Sequence, residues 1–309
     1  MPNLSVRHVT RYRYRRPVGL GEHRMMFRPR ESYDQRVLES RLVIVPEPVE
    51  FRYVHDVFGN TVGIARFDRP TTELAFDSFV RLEHTPSPVV NDADDAFDCN
   101  ATYPFAYSVE DMPDLLRSIE RQHPDPDQAL EAWARRFVRK AGPTGLLDML
   151  SDMTRAIHAE FTYGTRLVGH AQAPAETLAL GSGSCRDFAV LMIEAVRSLG
   201  LAARFVSGYV YSPASGREGE RRLGGGHTHA WVSVYLPSCG WVEFDPTNGL
   251  VGAKDLIRVA VARDPRQALP LSGAYEGERD DYLGMDVSVD VAIESACETN
   301  NRGPLALAG

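Results

Sequence analysis

The 309-residue chain has few cysteines and no long apolar run. Its four cysteines are widely spaced and include no C-x-x-C pair, which argues against both a zinc ribbon and a disulfide framework. A reducing compartment is the simpler expectation. The N-terminus lacks an apolar signal core, and no segment approaches the length that spans a bilayer. We therefore expect a soluble cytoplasmic protein with no membrane partner.

A surplus of positive charge is also absent, since the formal net charge is −8 at pH 7. Binding to a phosphate backbone needs a basic face, so nucleic acid is not expected as the main partner. The basic run at 11–16 alternates arginine with tyrosine, which is typical of a strand with one solvated face. Hydrophobic residues make up 43% of the chain and charged residues 25%, as in ordinary globular proteins.

Short strand-like segments recur at near-regular spacing in residues 1–95, which we interpret as a β-rich N-terminal domain. Residues 51–56 and 61–65 flank the turn sequence Phe58-Gly59-Asn60 and predict a hairpin. The spacing of the strands favours a small β-sandwich. An acidic stretch at 91–95 is the expected boundary with the next domain.

Residues 96–270 show helical periodicity first and strand periodicity afterwards, which favours an α+β domain of helices packed on an antiparallel sheet. The C-terminal segment, 271–309, contains a period-2 strand at 285–294 that has no nearby partner. We expect this strand to join an earlier sheet, with the N-terminal domain as the candidate, and the tail from Cys297 to be frayed. The predicted core elements are helices at 127–140, 146–161, 174–180 and 185–199 and strands at 203–211, 229–236 and 241–245.

Cys185 lies in the most informative stretch, Gly181–Ala189. Apolar residues then recur every three or four positions up to Gly200, which predicts a buried helix with Cys185 in its first turn and Ser184 or Gly183 near the N-cap. Unpaired N–H groups and the positive end of the helix dipole favour a thiolate there. From this stretch alone, a nucleophile and a buried structural cysteine are equally good interpretations.

A thiol nucleophile needs a base, and a third group usually orients that base. His229 begins one predicted strand and Asp245 ends the next. If the three residues 237–239 form the turn between them, Leu236 pairs with Gly240, and Asp245 lies diagonal to His229 on the same sheet face. A turn of even length would place Asp245 on the opposite face, so a triad requires the odd turn or a bulge.

Other interpretations of these residues stay open at this point. His227 is an alternative base. Cys239, in the predicted turn, is expected to be an exposed bystander. The backbone N–H of Cys185 is expected in an oxyanion hole, for which Tyr163 is a candidate second donor. An alternative use of the same groups is a zinc site with the ligands Cys185, His227, His229 and Asp245.

The segments around these residues resemble the bacterial transglutaminase-like superfamily of papain-like thiol enzymes. The resemblance is carried by Gly183–Ala189, His229–Trp231 and Phe244–Asn248, and upstream by 8–14, 27–30 and 56–60. It implies a transglutaminase-like core preceded by a β-sandwich-like domain. By position it also implies Cys185 as nucleophile, His229 as base and Asp245 as orienting acid. Ala262 and Pro265 depart from the family pattern after the core, which leaves the substrate preference open.

The resemblance implies an enzyme that acts on an amide or isopeptide bond through a thioester acyl-enzyme. With water as the acceptor the enzyme is a cysteine protease or amidase, which is the leading interpretation. One alternative is a protein-glutamine acyltransferase, or transglutaminase, with an amine acceptor. Another is a non-catalytic peptide-binding module on the same fold. The expected partner is a protein or peptide substrate, and no metal or organic cofactor is implied.

Overall fold

The computed structural model of the protein describes residues 3–86, 101–166, 169–212, 222–237 and 239–294. The predicted boundary at 91–95 and the predicted tail from Cys297 lie outside these ranges. The elements in chain order are β1 (Asn3–Leu20), β2 (His23–Met25), β3 (Gln35–Val45), β4 (Glu50–His55), β5 (Thr61–Arg66), β6 (Thr71–His84), β7 (Thr102–Tyr103), α1 (Met112–Ile119), α2 (Ala129–Arg135), β8 (Thr144–Gly145), α3 (Leu146–Glu160), β9 (Thr162–Tyr163), α4 (Pro174–Leu180), β10 (Ser182–Gly183), α5 (Cys185–Ser198), β11 (Ala203–Val210), β12 (His229–Leu236), β13 (Gly240–Asp245), β14 (Leu250–Val251), β15 (Leu256–Ala262), β16 (Leu271–Ser272), β17 (Tyr275–Glu276) and β18 (Tyr282–Glu294).

The N-terminal region is a sandwich of two antiparallel sheets. In the first sheet the order is β17–β1–β6–β3, and β18 also pairs with β1. The second sheet has the order β16–β2–β5–β4, and its β4–β5 pair is the hairpin predicted around Phe58–Asn60. The two sheets enclose an apolar core formed by Tyr14, Val18, Leu20, Met25, Phe27, Ala65, Leu74 and Phe76.

The last described strand belongs to the N-terminal sheet. β18 runs antiparallel to β1, from Asn3 opposite Glu294 to Arg13 opposite Gly284. Without a partner, such a strand would leave a row of backbone N–H and C=O groups unpaired. β1 supplies that partner, and the helical core of the protein is therefore inserted between strands of one sheet.

The core is built around α5. Almost every residue of this helix is buried, because α2, α3, α4 and the sheet β14–β13–β12–β11–β15 surround it. The predicted helix at 127–140 is shorter than expected, since α2 ends at Arg135 and the following turns tighten to i→i−3 bonds. The short helix α1 is absent from the sequence prediction. No helix in the described ranges combines the length and apolar composition needed to cross a bilayer.

Two buried side-chain amides attach the sandwich to the edge strand β15. Asn60 donates from Nδ2 to the carbonyl of Val261 at 2.7 Å and accepts at Oδ1 from the Val261 N–H at 2.9 Å. Gln35 makes the same pair of bonds with the backbone of Arg258, at 2.8 and 3.0 Å. Because each amide imitates a peptide group, the outer edge of β15 is hydrogen-bonded at these points although no strand of the described ranges lies beside it.

Arg258 strengthens the same contact with buried charges. Its Nη1 donates to Glu243 at 2.8 Å, and its Nη2 donates to Ser32 at 2.8 Å and to the carboxylate of Asp34. Burial would lower the pKa of Arg258, but the two carboxylates outweigh burial and raise that pKa. The guanidinium therefore stays charged and joins the core strand β13 to the sandwich.

Replacing Asn60 with leucine should destabilise the protein, because the N–H and C=O of Val261 would lose their partners in a buried place. An unsatisfied buried group costs about 1–3 kcal/mol, so we expect the free energy of unfolding to fall by about 2–4 kcal/mol in urea denaturation. The control is Gln122→Leu, since that amide donates to an exposed carbonyl of Glu120. Equal losses in the two variants would contradict this account.

Candidate active site

Cys185 is the first residue of α5, as predicted, and it is a free thiol with only 8% of its surface exposed. Ser184 is the N-cap. Asp187 completes a capping box, since its Oδ2 accepts from the Ser184 backbone N–H at 2.7 Å and from the Ser184 hydroxyl at 2.8 Å. Gly183 has to be small, because a Cβ there would lie 2.8 Å from the Cβ of Asp187. These contacts fix the sulfur at the positive end of the helix.

The register of the β12–β13 hairpin is the one that the sequence analysis required. Leu236 pairs with Gly240 and Val232 pairs with Phe244, which confirms the odd turn. His229 and Asp245 therefore share a sheet face, and Nε2 of His229 lies 2.8 Å from Oδ2 of Asp245. Both side chains are fully buried.

The two nitrogens of the His229 ring have different surroundings. Nε2 faces Asp245, whereas Nδ1 has no hydrogen-bond partner among the described residues. Burial would lower the pKa of His229, but the Asp245 carboxylate and the neighbouring Cys185 sulfur outweigh burial and raise that pKa. Because Nε2 is hydrogen-bonded to the Asp245 carboxylate, Nδ1 is the ring nitrogen that can exchange a proton with the Cys185 thiol.

Asn248 supports Asp245 and was not assigned a role from the sequence. Its Nδ2 donates to Asp245 Oδ2 at 2.7 Å, and its Oδ1 accepts from the backbone N–H of Leu223 at 2.7 Å. The segment that it holds passes over the imidazole, because a Cβ on Gly224 would lie 2.5 Å from Nδ1 of His229. The spacing of an aspartate and an asparagine three residues later is the only sequence signal for this link.

A cavity of about 140 Å³ opens beside the Cys185 sulfur and the His229 ring. One wall comes from the sandwich, where the cross-strand pairs Thr10–Val287 and Tyr12–Met285 of β1 and β18 face the cavity. The segment 265–271 after β15 forms another part of the lining. The N-terminal domain therefore contributes directly to the cleft, which the sequence analysis did not predict.

The structure also places the other residues that the sequence singled out, which are the alternative base, the zinc ligands, the second oxyanion donor and Cys239. His227 also lines the cavity, but it has no carboxylate partner comparable to Asp245 among the described residues. In the described ranges no three His, Cys, Asp or Glu side chains are grouped as metal ligands, so the zinc interpretation gains no support. Tyr163 lines the cavity. The expectation for Cys239 is wrong, because Cys239 is half-buried against the core and disulfide-bonded.

Comparison with known proteins identifies the family. Residues 4–83 match the bacterial transglutaminase-like N-terminal region, and residues 131–246 match the transglutaminase-like superfamily. The chain belongs to the bacterial transglutaminase-like superfamily. This confirms the family that the sequence motifs indicated.

Mycobacterial relatives match almost the full chain. The chain is 30% identical over 296 residues to "Uncharacterized protein Rv2569c" of Mycobacterium tuberculosis. This match covers 93% of this chain and 91% of that protein. It is 27% identical over 304 residues to "Uncharacterized protein ML0607" of Mycobacterium leprae, which covers 94% of this chain and 99% of that protein.

A solved structure has the same fold. The chain is similar to a protein from Cytophaga hutchinsonii that is described as a "Putative Cysteine Protease", with a TM-score of 0.66 and 17% identity. The similarity covers 95% of this chain and 92% of that chain. At this identity the likeness shows the fold alone, and it confirms the predicted α+β core with a β-rich N-terminal domain.

Two glycine substitutions test the contact over the imidazole. Gly224 and Gly226 have positive φ angles of 84° and 86°, so alanine strains the backbone equally at both. Only at Gly224 would the new methyl group collide with His229. Overpacking costs about 1–3 kcal/mol, and Gly224→Ala should lower the free energy of unfolding by that much more than Gly226→Ala. Equal losses would show that the segment does not pack on the ring.

A histidine titration followed by NMR tests the raised pKa of His229. The ring should stay protonated as the pH rises through its ordinary pKa of 6.5. In Asp245→Asn burial and the Cys185 sulfur persist while the carboxylate is lost, so the pKa of His229 should fall from its wild-type value. His8 is the internal control, because burial alone lowers its pKa to about 4 and the substitution does not touch it. An unchanged His229 titration in the variant would refute the assignment.

Proposed function

We propose that the protein is a cysteine-dependent hydrolase of amide or isopeptide bonds. Cys185 is the nucleophile, His229 is the general base and acid, and Asp245 is the orienting carboxylate. The observation that carries the proposal is the placement of His229. Its Nε2 lies 2.8 Å from Asp245 Oδ2, and its Nδ1 has no hydrogen-bond partner among the described residues. The Cys185 sulfur is close enough to the ring to raise its pKa.

The first half of the reaction forms the acyl-enzyme. His229 Nδ1 takes the proton of the Cys185 thiol before the substrate is attacked, as the raised pKa of the ring favours, and the thiolate then attacks the substrate carbonyl carbon. An S–C bond forms, and negative charge collects on the carbonyl oxygen. The backbone N–H of Cys185 has no partner within the helix and donates to that oxygen, with Tyr163 as the candidate second donor. His229 then protonates the amine as the C–N bond breaks, which leaves a thioester.

The second half releases the acyl group. A water molecule gives a proton to His229 and attacks the thioester carbonyl carbon. The S–C bond breaks, the product leaves as a carboxylic acid, and the proton on His229 returns to the Cys185 sulfur. During both steps Asp245 stabilises the imidazolium and keeps the ring in one orientation.

Hydrolysis is favoured over the two alternatives. A primary amine in place of water would give the transglutaminase outcome, and the chemistry up to the thioester would be identical. We choose water as the acceptor in line with the description "Putative Cysteine Protease" that the Cytophaga hutchinsonii protein of the same fold carries. A peptide-binding module would have no use for a buried His–Asp pair beside a free thiol, since buried charges are expensive to maintain.

The test is an assay on glutamine-containing and isopeptide-linked peptides, with and without an added primary amine, read by mass spectrometry. We expect carboxylate products and a transient adduct on Cys185. Cys185→Ser and His229→Ala should lower turnover by about a thousandfold or more. His55→Ala is the control, because His55 is an exposed histidine of the sandwich. Full turnover by Cys185→Ser would refute the proposal, and amine adducts as the main product would replace hydrolysis with acyl transfer.

A further inference from the structure

The charges around the cavity are of one sign. Arg166 and Arg186 line it, and none of the described lining residues is an aspartate or a glutamate. The chain as a whole carries a net charge of −8, so an acid-free lining is not a reflection of the composition. A site of this kind attracts anionic groups and repels cationic ones.

Arg186, the residue after Cys185, is held in place by neutral groups. Its Nη1 donates to the carbonyl of Gly169 at 2.9 Å, and its Nη2 donates to the carbonyl of Arg166 at 2.8 Å. In the described part of the chain, no carboxylate lies within ion-pair distance of this guanidinium. A guanidinium has five N–H donors, so Arg186 keeps both its charge and spare donors for a ligand.

Arg166 does have a carboxylate partner, but that partner is already saturated. It pairs with Oδ1 of Asp187, which also accepts from the backbone N–H of Gln172 at 2.7 Å. The other oxygen of Asp187 accepts two bonds from Ser184. Asp187 therefore balances the charge of Arg166 alone, and the positive charge of Arg186 remains uncompensated among the described residues. The Nε of Arg166 is also buried without a partner among the described residues.

We propose that this side of the cleft binds a carboxylate of the substrate, with Arg186 as its main partner and Arg166 beside it. The substrate class is then a peptide or amide that carries an acidic group close to the scissile carbonyl. This rests on the proposed function, because the carboxylate is positioned relative to the attack by Cys185. A guanidinium suits this task because it binds a carboxylate through two parallel hydrogen bonds.

Two alkylating reagents of nearly equal size test the proposal without a known substrate. Iodoacetate carries a carboxylate and iodoacetamide is its neutral counterpart, so the ratio of their rates at Cys185 reports the local charge. We expect Arg186→Gln to lower this ratio by about fivefold, and Arg186→Lys to retain most of it. Arg155→Gln is the control and should leave the ratio unchanged, because Arg155 is an exposed arginine that pairs with Asp152 on α3.

A second test measures how well dipeptides protect Cys185 from alkylation, and it uses only the wild-type protein. Blocked dipeptides containing glutamate should protect Cys185 from iodoacetamide better than the same dipeptides with glutamine. Dipeptides with a free and with an amidated C-terminus are then compared. The comparison shows whether the site binds a C-terminal carboxylate or a side-chain carboxylate. One outcome is that Cys185 reacts with iodoacetamide while neither the ratio of the two alkylation rates nor the protection by dipeptides depends on charge. That result would refute the carboxylate site and leave the proposed function standing. If neither reagent modifies Cys185, the proposed function fails as well.

Discussion

A slip of one residue between β12 and β13 would turn Asp245 to the opposite face of the sheet and leave His229 without its carboxylate. Side chains alternate between faces along a strand, so only a β-bulge would bring Asp245 back to the face of His229. Both groups are fully buried, and breaking a buried charged pair costs about 3–5 kcal/mol. The buried pair of His229 and Asp245 therefore stabilises the register in which Leu236 lies opposite Gly240. The three-residue turn makes that register possible.

Asp187 has a similar double role at the start of α5. Its carboxylate caps the helix through Ser184 and at the same time holds Arg166 at the edge of the cleft. The position of the Cys185 sulfur at the helix start and the local charge of the cleft therefore both depend on one buried side chain. Its four hydrogen bonds go to Ser184, Gln172 and Arg166, so Asp187 balances the charge of Arg166 and leaves that of Arg186 uncompensated.

The sandwich and the core are hydrogen-bonded to each other, and both line the cleft. The amides of Gln35 and Asn60 bind the backbone of β15, and this contact sets the position of the sandwich against the core sheet. In that arrangement β1 and β18 face the cavity beside Cys185. The residues Phe58–Asn60, which read as a hairpin turn in the sequence, thus also contribute to the domain contact.

The sequence by itself determined the elements that depend on near neighbours. The spacing of apolar residues predicted α5 with Cys185 in its first turn, and the alternation in β12 and β13 predicted the pairing of His229 with Asp245. Only the tertiary structure decided the contact of Gly224 with the imidazole, the link through Asn248, the cavity wall on β1 and β18, and the disulfide at Cys239. The physical reason is that these contacts depend on the path of irregular segments and on which elements pack together, and periodicity within one helix or strand carries no information about either.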